Sequence, residues 1–346
     1  MKKCQAPFGV NYQILIWRKL VKTEILKMLR ETDDYVSGQQ ICGKLGVSRT
    51  AVWKVIRQLQ EEGYQIEAVR NRGYRILDGP DVMTREELES LMGTRWAGSR
   101  IYYYPETDST NIRIRQLADE GAPHGTLAVA DMQTAGRGRR GRTWESPAGS
   151  SIYMSILLRP DLMPSAAPPL TLVMACSVAE GIMDCEDVKV QIKWPNDVII
   201  NGRKLVGILT EMSTQVDYID HVIIGVGINV NMTEFPDSIR GTATSLRIEA
   251  GHKVRRAKLI AAVMKRFEAD YEIFMQTGDL SGLMEKYSSM LVNQDRDVRI
   301  LGVKETYTAH ALGIDRNGEL IVRREDGTEE KISSGEVSVR GVYGYV

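Results

Sequence analysis

The sequence contains few of the residues that build metal sites and disulfide frameworks. Among its 346 residues are only four cysteines and four histidines. None of them falls in a C-x-x-C, His-x-x-x-His or His-Glu-x-x-His pattern, so a structural zinc site is not expected. Four scattered cysteines in so long a chain also argue against a disulfide framework. The sequence therefore predicts a reducing, cytoplasmic compartment.

Long apolar runs are missing as well. No run approaches the length needed to cross a bilayer, so we expect no membrane partner. The N-terminus resembles a signal peptide only superficially, because polar residues 11–13 interrupt its apolar part and no small-residue cleavage site follows. We interpret residues 1–20 as a helical or disordered extension without a targeting role.

A net charge of either sign is absent too, since Lys and Arg number 45 and so do Asp and Glu. The whole molecule therefore has no global attraction to nucleic acid. The distribution is uneven, because the residues up to Asp78 hold fourteen Lys and Arg against eight Asp and Glu. Any affinity for DNA should therefore be local to the N-terminal part.

Residues 21–78 show the pattern of three helices and a hairpin. Apolar residues at helical spacing begin at about Val21, and Ser37 and Ser48 are plausible N-caps of a second and a third helix. Two strands, 64–69 and 74–77, follow with a turn that tolerates positive φ. This order predicts a winged helix-turn-helix.

The third helix of such a unit enters the major groove of DNA, and the wing contacts the backbone. The apolar positions of this helix face inward, which leaves its polar and basic positions exposed. The predicted DNA-binding residues are Gly38, Ser48, Arg49, Thr50, Trp53, Lys54, Arg57 and Arg72. The alternative is a solvated basic face on a structural module that contacts proteins.

The rest of the chain divides at a turn-rich break, residues 78–81. From 84 to about 295, helices alternate with β-branched strands, which predicts a mixed α/β domain. Strands are expected at 126–131, 151–158, 189–193, 197–200, 205–213 and 219–229, and the segment 257–292 is expected to be helical. Short strands with glycine turns in 296–346 predict a small C-terminal β-barrel, with strands at 298–301, 307–314, 320–323 and 336–339. The fold class is therefore multidomain α+β.

The most informative stretch is a loop in which glycines alternate with arginines, Gly136–Arg142. Backbone N–H groups and guanidinium groups in such a loop can surround an anion. It lacks the lysine and spacing of a P-loop, and no strand-turn-helix pattern fits a dinucleotide fingerprint. On the residues alone, a flexible arginine-rich loop that binds RNA or is simply solvated remains equally open.

Four further motifs accompany this loop and Trp144, and together they resemble the biotin protein ligase family. The motifs are Asp108-Ser-Thr-Asn111, Lys193-Trp-Pro-Asn-Asp197, Lys204-Leu-Val-Gly-Ile-Leu209 and Gly225-Val-Gly-Ile-Asn-Val-Asn231. The resemblance covers most of the chain and includes the N-terminal repressor module of the bifunctional members. It implies a central domain of the biotin/lipoate ligase type and an SH3-like C-terminal barrel.

The resemblance also implies roles for individual residues. Those expected to bind biotin are Ser109, Thr110, Asn111, Gln133, Gly136, Arg137, Gly138, Arg139 and Lys204. Those expected to bind the nucleotide are Trp144, Lys193, Asn196, Asp197 and Asn229. Lys204, Arg137 and Arg139 are the implied catalytic residues, and Asp197 is the implied metal ligand. The family's aromatic residue in a later loop has only Phe235 as a counterpart here.

The implied reaction has two steps and needs ATP and Mg²⁺. Biotin attacks the α-phosphate of ATP to give biotinyl-5′-adenylate and pyrophosphate, and a lysine of a biotin carboxyl carrier protein then displaces AMP. Positive charge is the main requirement, and no enzyme nucleophile is needed. The resemblance further implies repression at an operator DNA by a homodimer that forms when the adenylate is bound.

Two alternatives remain at this stage. A lipoate-type acyl-adenylating ligase shares the architecture and the chemistry, although the intact Gly-Arg loop argues against it. A transcription factor whose second domain only senses a ligand belongs to a different class, and Lys204 together with the complete loop argues against it.

Overall fold

The computed structural model describes residues 9–215, 217–302, 305–334, 338–341 and 345–346, with side chains from Leu20 onward except at Ser338. Residues 1–8 of the predicted extension and residues 336–337 of the predicted strand 336–339 lie outside these ranges. The chain forms two compact units, one ending at Met92 and the other beginning at Gly93.

The N-terminal unit contains the predicted helices and hairpin. Its elements are α1 (Gly9–Arg30), α2 (Gly38–Leu45), α3 (Arg49–Glu61), β1 (Gln65–Val69), β2 (Gly73–Asp78) and α4 (Arg85–Leu91). Ser37 forms a capping box with Gln40, and Ser48 accepts a hydrogen bond from the backbone N–H of Ala51. The antiparallel hairpin turns through Asn71, whose φ is 64°. The winged helix-turn-helix is thereby confirmed.

Helix α4 differs from the predicted domain organisation, which placed residues from 84 onward in the central domain. Glu87 is fully buried, and it accepts two hydrogen bonds of 2.8 Å from Arg30 and one of 2.6 Å from Tyr64. A buried carboxylate needs such partners, and here they belong to α1 and to the residue before β1. These bonds attach α4 to the N-terminal unit.

The second unit is built on a mixed seven-stranded sheet. Its strands are β3 (Arg100–Thr107), β4 (Thr126–Gln133), β5 (Ile152–Leu158), β6 (Gln191–Lys193), β7 (Asp197–Ile200), β8 (Arg203–Thr214) and β9 (Ile219–Ile228). They lie in the order β3-β4-β5-β9-β8-β7-β6, and only β3 and β4 are parallel. The mixed α/β sheet is confirmed, and β3 is an additional strand that the sequence pattern did not predict.

Helices cover the two faces of this sheet unequally. The helices are α5 (Thr110–Asp119), α6 (Leu170–Cys185), α7 (Leu246–Ala250), α8 (Arg256–Thr277) and α9 (Met284–Met290). Helix α5 packs on Leu157 and Ile223, whereas Thr171 of α6 is hydrogen-bonded to Thr210 of β8. Because side chains alternate along a strand, α6 lies on the face opposite to α5. The segment Pro164–Cys185 is long and apolar enough to cross a membrane, but 72% of its most apolar window is buried in this core.

The C-terminal segment forms a five-stranded antiparallel sheet. Its strands are β10 (Arg296–Leu301), β11 (Thr306–Ile314), β12 (Leu320–Arg323), β13 (Glu329–Ile332) and β14 (Ser338–Gly341), in the order β13-β12-β11-β10-β14. The sheet begins where the predicted C-terminal segment 296–346 begins, and it belongs to the compact unit that starts at Gly93. One link is the buried indole of Trp194, which donates to the Gly318 carbonyl at 2.9 Å. The helical segment predicted at 257–292 is interrupted at Gly278, which ends α8 in a left-handed conformation.

The start of the second unit is fixed by a carboxylate on α8. Glu268 accepts hydrogen bonds of 2.7 to 3.0 Å from the backbone N–H groups of Arg95, Trp96 and Ala97. Burial alone would raise the pKa of Glu268, but these three donors bring it below the usual value. The first residues of the unit are therefore attached to its core.

Candidate functional site

The floor of the candidate site is a strip of sheet without side chains, formed by Gly207, Gly225 and Gly227 and called the glycine strip below. Gly207 of β8 pairs with Gly227 of β9, and Gly225 lies two residues away on the same face. A Cβ atom at Gly207 or Gly227 would lie 2.7 Å from the Trp144 ring, and one at Gly225 would lie 2.2 Å from the Asn111 side chain. Only glycine permits this close approach, so the strip can receive a flat group.

Polar side chains from the start of α5 surround one end of the strip. The backbone N–H of Thr110 donates to Gln133 at 2.8 Å, and Asn111 contacts Ser155 at 2.6 Å. Ser109 precedes α5 without a side-chain capping bond and lines the same cavity. The structure thus brings together the predicted residues Ser109, Thr110, Asn111 and Gln133, as a set of donors and acceptors at one end.

The two sides of the Gly-Arg loop pair with each other in antiparallel fashion, so that the loop is narrow and lies over the strip. Trp144 donates its backbone N–H to the Gly136 carbonyl at 3.0 Å, and Arg137 forms a bridge with Thr143. A Cβ on Gly136 would lie 2.3 Å from the Trp144 carbonyl oxygen, so the base of the loop requires glycine. The Trp144 indole lies on Gly207 and Gly227, and its buried N–H has no hydrogen-bond partner among the residues that the structure describes.

The other end of the strip is positively charged. Lys204 Nζ lies 2.5 Å from Asp197 Oδ1 and 5.3 Å from the centre of the Trp144 ring. Lys193 is buried, with Nζ 3.8 Å from Asp197 Oδ2. Burial by itself would raise the pKa of Asp197, but the two ammonium groups bring it below its usual value. Asp197 is therefore an ionised carboxylate between two lysines.

The loop reaches this charged end through Arg139. Its guanidinium donates to Asn196 Oδ1 at 3.0 Å and to the Ser334 carbonyl. Asn196 in turn donates to the Ile208 carbonyl, whereas Asn229 donates to the Thr244 carbonyl. The predicted residues Arg139 and Asn196 thus meet directly, while Asn229 supports the segment beside Lys204.

Two cavities share these residues. The cavity over the glycine strip has a volume of only about 50 Å³ and is bordered by Arg137, Gly138 and Trp144. A second cavity of about 480 Å³ adjoins it through Arg139, Trp144 and Lys204. It includes Phe235, Lys193, Asp197 and Asn229, the other residues expected near a nucleotide. Small-molecule sites usually measure roughly 300 Å³ or more, so Trp144 must move for a ligand to occupy the strip.

The donor atoms do not form a metal site on their own. Among the described residues, no three His, Cys, Asp or Glu side chains are grouped to hold a metal ion. Asp197 is already engaged by Lys204 and by the hydroxyl of Tyr345. A cation bound there would have to displace an ammonium group, so the expected role of Asp197 as a metal ligand fits poorly.

The predicted DNA-binding residues form an exposed basic surface on the N-terminal unit. Arg49, Thr50, Trp53, Lys54 and Arg57 project outward along α3, and Trp53 is 49% exposed. The remaining members are Ser48 at the N-cap, Gly38 at the start of α2 and Arg72 in the wing. The Arg57 guanidinium lies 5.3 Å from the centre of the Trp53 ring. The arrangement suits one helix entering a groove with a wing beside it.

Three residues of the site were not predicted. Ser155 is a fully buried polar residue in an apolar strand, which is a signal that the sequence contained. Glu211 accepts a hydrogen bond of 2.7 Å from Asn111, and Tyr345 donates to Asp197. No local pattern pointed to Glu211 or Tyr345, because both contacts join distant parts of the chain.

Three family models match successive parts of the chain. The HTH domain matches residues 21–75, the Biotin/lipoate A/B protein ligase family matches 103–229, and the Biotin protein ligase C terminal domain matches 295–340. The middle model includes both biotin and lipoate ligases. The C-terminal model is named for biotin protein ligases alone, which favours biotin over lipoate.

Relatives and solved structures agree with these matches. The chain is 39% identical over 325 residues to the bifunctional ligase/repressor BirA of Bacillus subtilis, which covers 93% of this chain and 99% of that protein. It is 33% identical over 308 residues to BirA of Escherichia coli, covering 89% and 94%. The biotin protein ligase from Aquifex aeolicus, in complex with biotin and ATP, superimposes with a TM-score of 0.62 and 32% identity over 70% of this chain and 99% of that one. The chain belongs to the biotin protein ligase family, among its bifunctional ligase/repressors.

Proposed function

We propose that this chain activates biotin with ATP and transfers it to a lysine of a biotin carboxyl carrier protein. The observation that carries the proposal is the glycine strip, which has a polar group of side chains at one end and two lysines with an arginine at the other. Biotin has a fused ring with a polar ureido group and a carboxylate at the end of an aliphatic arm. Its two ends therefore match the two ends of the strip.

In the first step, Ser109, Thr110, Asn111 and Gln133 hold the ureido group while the rings lie on the glycines. The carboxylate then lies near Lys204 and Arg139, which offset its charge and that of the approaching α-phosphate. One carboxylate oxygen forms a bond to phosphorus as the bond to pyrophosphate breaks. Lys193 and Asn196 face the adjoining cavity, where the nucleotide binds.

Magnesium enters this scheme with the substrate. Mg²⁺ usually binds phosphates and keeps several waters, so it does not require a cage of protein ligands. We propose that it arrives bound to the phosphates of ATP and neutralises part of their charge.

In the second step, the ε-amine of the acceptor lysine attacks the mixed anhydride and releases AMP. The anhydride must be protected from water until then. Trp144 and the Gly136–Arg142 loop cover the strip, so we propose that they close over the adenylate. Arg137, at the base of the loop, contributes charge on the same side.

The N-terminal unit carries the second activity, which is repression at an operator DNA. Its support is the exposed set Arg49, Trp53, Lys54 and Arg57 on α3 together with Arg72 in the wing. A single winged unit makes few base contacts, so we propose that a homodimer reads two half-sites. We propose the cytoplasm as the place of action, as the few scattered cysteines of the sequence predict.

The enzymatic proposal is tested with purified full-length protein, Mg²⁺, ATP and a biotin carboxyl carrier domain. We expect pyrophosphate release with biotin alone and labelling of one acceptor lysine when the domain is added. Lipoate should neither replace biotin nor compete with it at equal concentration. Preferential transfer of lipoate would assign the lipoate activity instead, and DNA binding without pyrophosphate release would indicate a ligand sensor.

A further inference from the structure

Residues 345–346, near the end of the chain, lie at the charged end of the ligase site. Tyr345 donates its hydroxyl to Asp197, and Lys193 Nζ lies 3.9 Å from the centre of the Tyr345 ring. Val346 lies close to β14, since a Cβ atom on Gly341 would lie 2.0 Å from the backbone oxygen of Val346. Tyr345, which is distant in sequence from every ligase motif, is therefore part of this site.

Asp197 connects Tyr345 with Lys204. One carboxylate oxygen of Asp197 contacts Lys204 Nζ at 2.5 Å, and the other accepts from Tyr345. The Asp197 side chain is almost buried, so solvent offers it little alternative. Burial and the adjacent carboxylate raise the pKa of Tyr345 far above its usual range, and the hydroxyl therefore stays protonated as a donor.

The orientation of Lys204 depends on this connection. A lysine side chain has four rotatable bonds and holds its ammonium group as a flexible point charge. Its contacts here are the Trp144 ring, which must move when a ligand binds, and Asp197. Once Trp144 has moved, Asp197 remains. Its other oxygen lies 3.8 Å from Lys193 Nζ and accepts a hydrogen bond from Tyr345, which is the directional contact on that side.

We propose that Tyr345 is a positioning residue for adenylate formation: its hydroxyl orients Asp197, which holds Lys204 at the reacting end of the glycine strip. The proposal rests on the role of Lys204 in the proposed function. It makes the C-terminal sheet a contributor to the first chemical step, although its strands provide none of the ligase motifs.

The test compares Tyr345→Phe with Tyr307→Phe in the full-length protein. Tyr307 is a matched control in the same sheet, because its hydroxyl also donates to a carboxylate, Glu330, and Arg324 lies 3.8 Å from its ring centre. Tyr345→Phe keeps the ring beside Lys193 and removes only the hydroxyl. Pyrophosphate release with biotin, ATP and Mg²⁺ is followed at saturating and limiting concentrations of each substrate.

We expect Tyr345→Phe to lower kcat for pyrophosphate release about tenfold to a hundredfold, because small misplacements at a reacting centre have effects of that size. The KM values for biotin and ATP should change less than about threefold, since uniform binding is retained. Tyr307→Phe should match the wild type. In an Asp197→Asn background, Tyr345→Phe should have little further effect, because both changes interrupt the same connection.

Several results would overturn the proposal. Equal kcat in Tyr345→Phe and the wild type would show that the hydroxyl is dispensable, and a higher kcat would identify Tyr345 as an obstruction. A raised KM for ATP at unchanged kcat would make it a nucleotide contact. Should thermal melting show that Tyr345→Phe does not fold, Tyr345→Leu also removes the hydroxyl, and the same fall in kcat is expected; an unchanged kcat in that variant would overturn the proposal as well. A wild type that releases no pyrophosphate contradicts the proposed function itself, which separates the two failures.

Discussion

At the residue scale, Lys204 is the side chain on which we expect the rate of adenylate formation to depend most. Its ammonium group pairs with Asp197 and lines the cavity over the strip, where positive charge is the main requirement of the proposed reaction. We expect Lys204→Gln to lower the rate of pyrophosphate release on the order of a hundredfold or more. Lys331→Gln is the control, because that lysine pairs with Asp315 on the C-terminal sheet. Unchanged kinetics in Lys204→Gln would remove Lys204 from the reaction.

Lys193 gives the site a dependence on pH. The pKa of Lys193 is lowered to about 8, chiefly by burial. The Asp197 carboxylate opposes this by raising the pKa, whereas the positive charges of Lys204, Arg340 and Arg142 lower it further. Lys193 is therefore protonated below about pH 8 and neutral above it. The charged form attracts phosphates, so the KM for ATP should rise about tenfold between pH 7 and pH 9. A change of this size corresponds to the loss of one charged contact worth ~1.5 kcal/mol.

The control for this pH dependence is Lys193→Gln, which is neutral at every pH. Its KM for ATP should be high at pH 7 and nearly constant up to pH 9. A wild-type KM that does not change over this range, or a variant that still shows the rise, would assign the effect to another group.

The sequence predicted the individual site residues best where they lie within one motif. Ser109 to Asn111 and Gln133 meet as expected, because the N-terminus of α5 and the end of β4 are adjacent in the fold. The role of Trp144 was only partly predicted. The structure places its ring on the glycine strip, a contact that depends on which residues of β8 and β9 are paired.

At the element scale, the glycine strip leads to the prediction that a side chain added to it will weaken biotin binding. A methyl group at position 207 would lie 2.7 Å from the Trp144 ring and 3.2 Å from Lys204 Cε. It would also occupy the surface on which biotin rings are proposed to lie, and overpacking of this kind costs about 1–3 kcal/mol. We expect Gly207→Ala to weaken biotin binding roughly tenfold, measured by calorimetry.

Gly93→Ala is the matched control, since a Cβ atom there has nothing within 4 Å. Both variants should melt within a few degrees of the wild type. Biotin affinity equal to that of the wild type in Gly207→Ala would mean that the ligand lies elsewhere in the site.

The strands that the sequence did not predict share a position at the edge of a sheet. Strand β3 contains Pro105, which has no N–H to donate, and β13 reads Glu-Glu-Lys-Ile, with charged residues on both faces. Edge strands tolerate proline and charge because one side of the backbone is unpaired. The buried strands β5 and β9, in contrast, are nearly continuous apolar runs and were predicted within two residues.

At the scale of the whole molecule, we expect DNA binding to depend on the ligands of the ligase site. Ordering of the Gly136–Arg142 loop around the adenylate would complete a dimerisation surface, and a dimer binds two half-sites. Operator affinity should therefore rise when biotin and ATP are both present, and operator DNA should in turn favour the adenylate-bound dimer. The measurement is a DNA titration at fixed salt, together with sedimentation of the free protein.

Lys204→Gln serves as the control in this experiment, since it should not form the adenylate and should gain no operator affinity from the two ligands. The acceptor protein should reverse the gain in the wild type by consuming the adenylate. Equal operator affinity with and without ligands would contradict the regulatory proposal and leave the ligase assignment intact.

The hydrogen bonds from three backbone N–H groups to Glu268 indicate where one unit of the chain ends and the next begins. The ligase unit holds its own first residues, Arg95 to Ala97, while Glu87 on α4 is attached within the preceding unit. Only residues 88–94 lie between these two anchor points, and the boundary between the units falls among them. The helix-turn-helix unit thus precedes a ligase unit that is anchored within itself, and the Aquifex aeolicus structure aligns over 99% of its own length with 70% of this chain. A shortened gene encoding residues 93–346 should therefore yield a folded enzyme that activates biotin and ignores the operator.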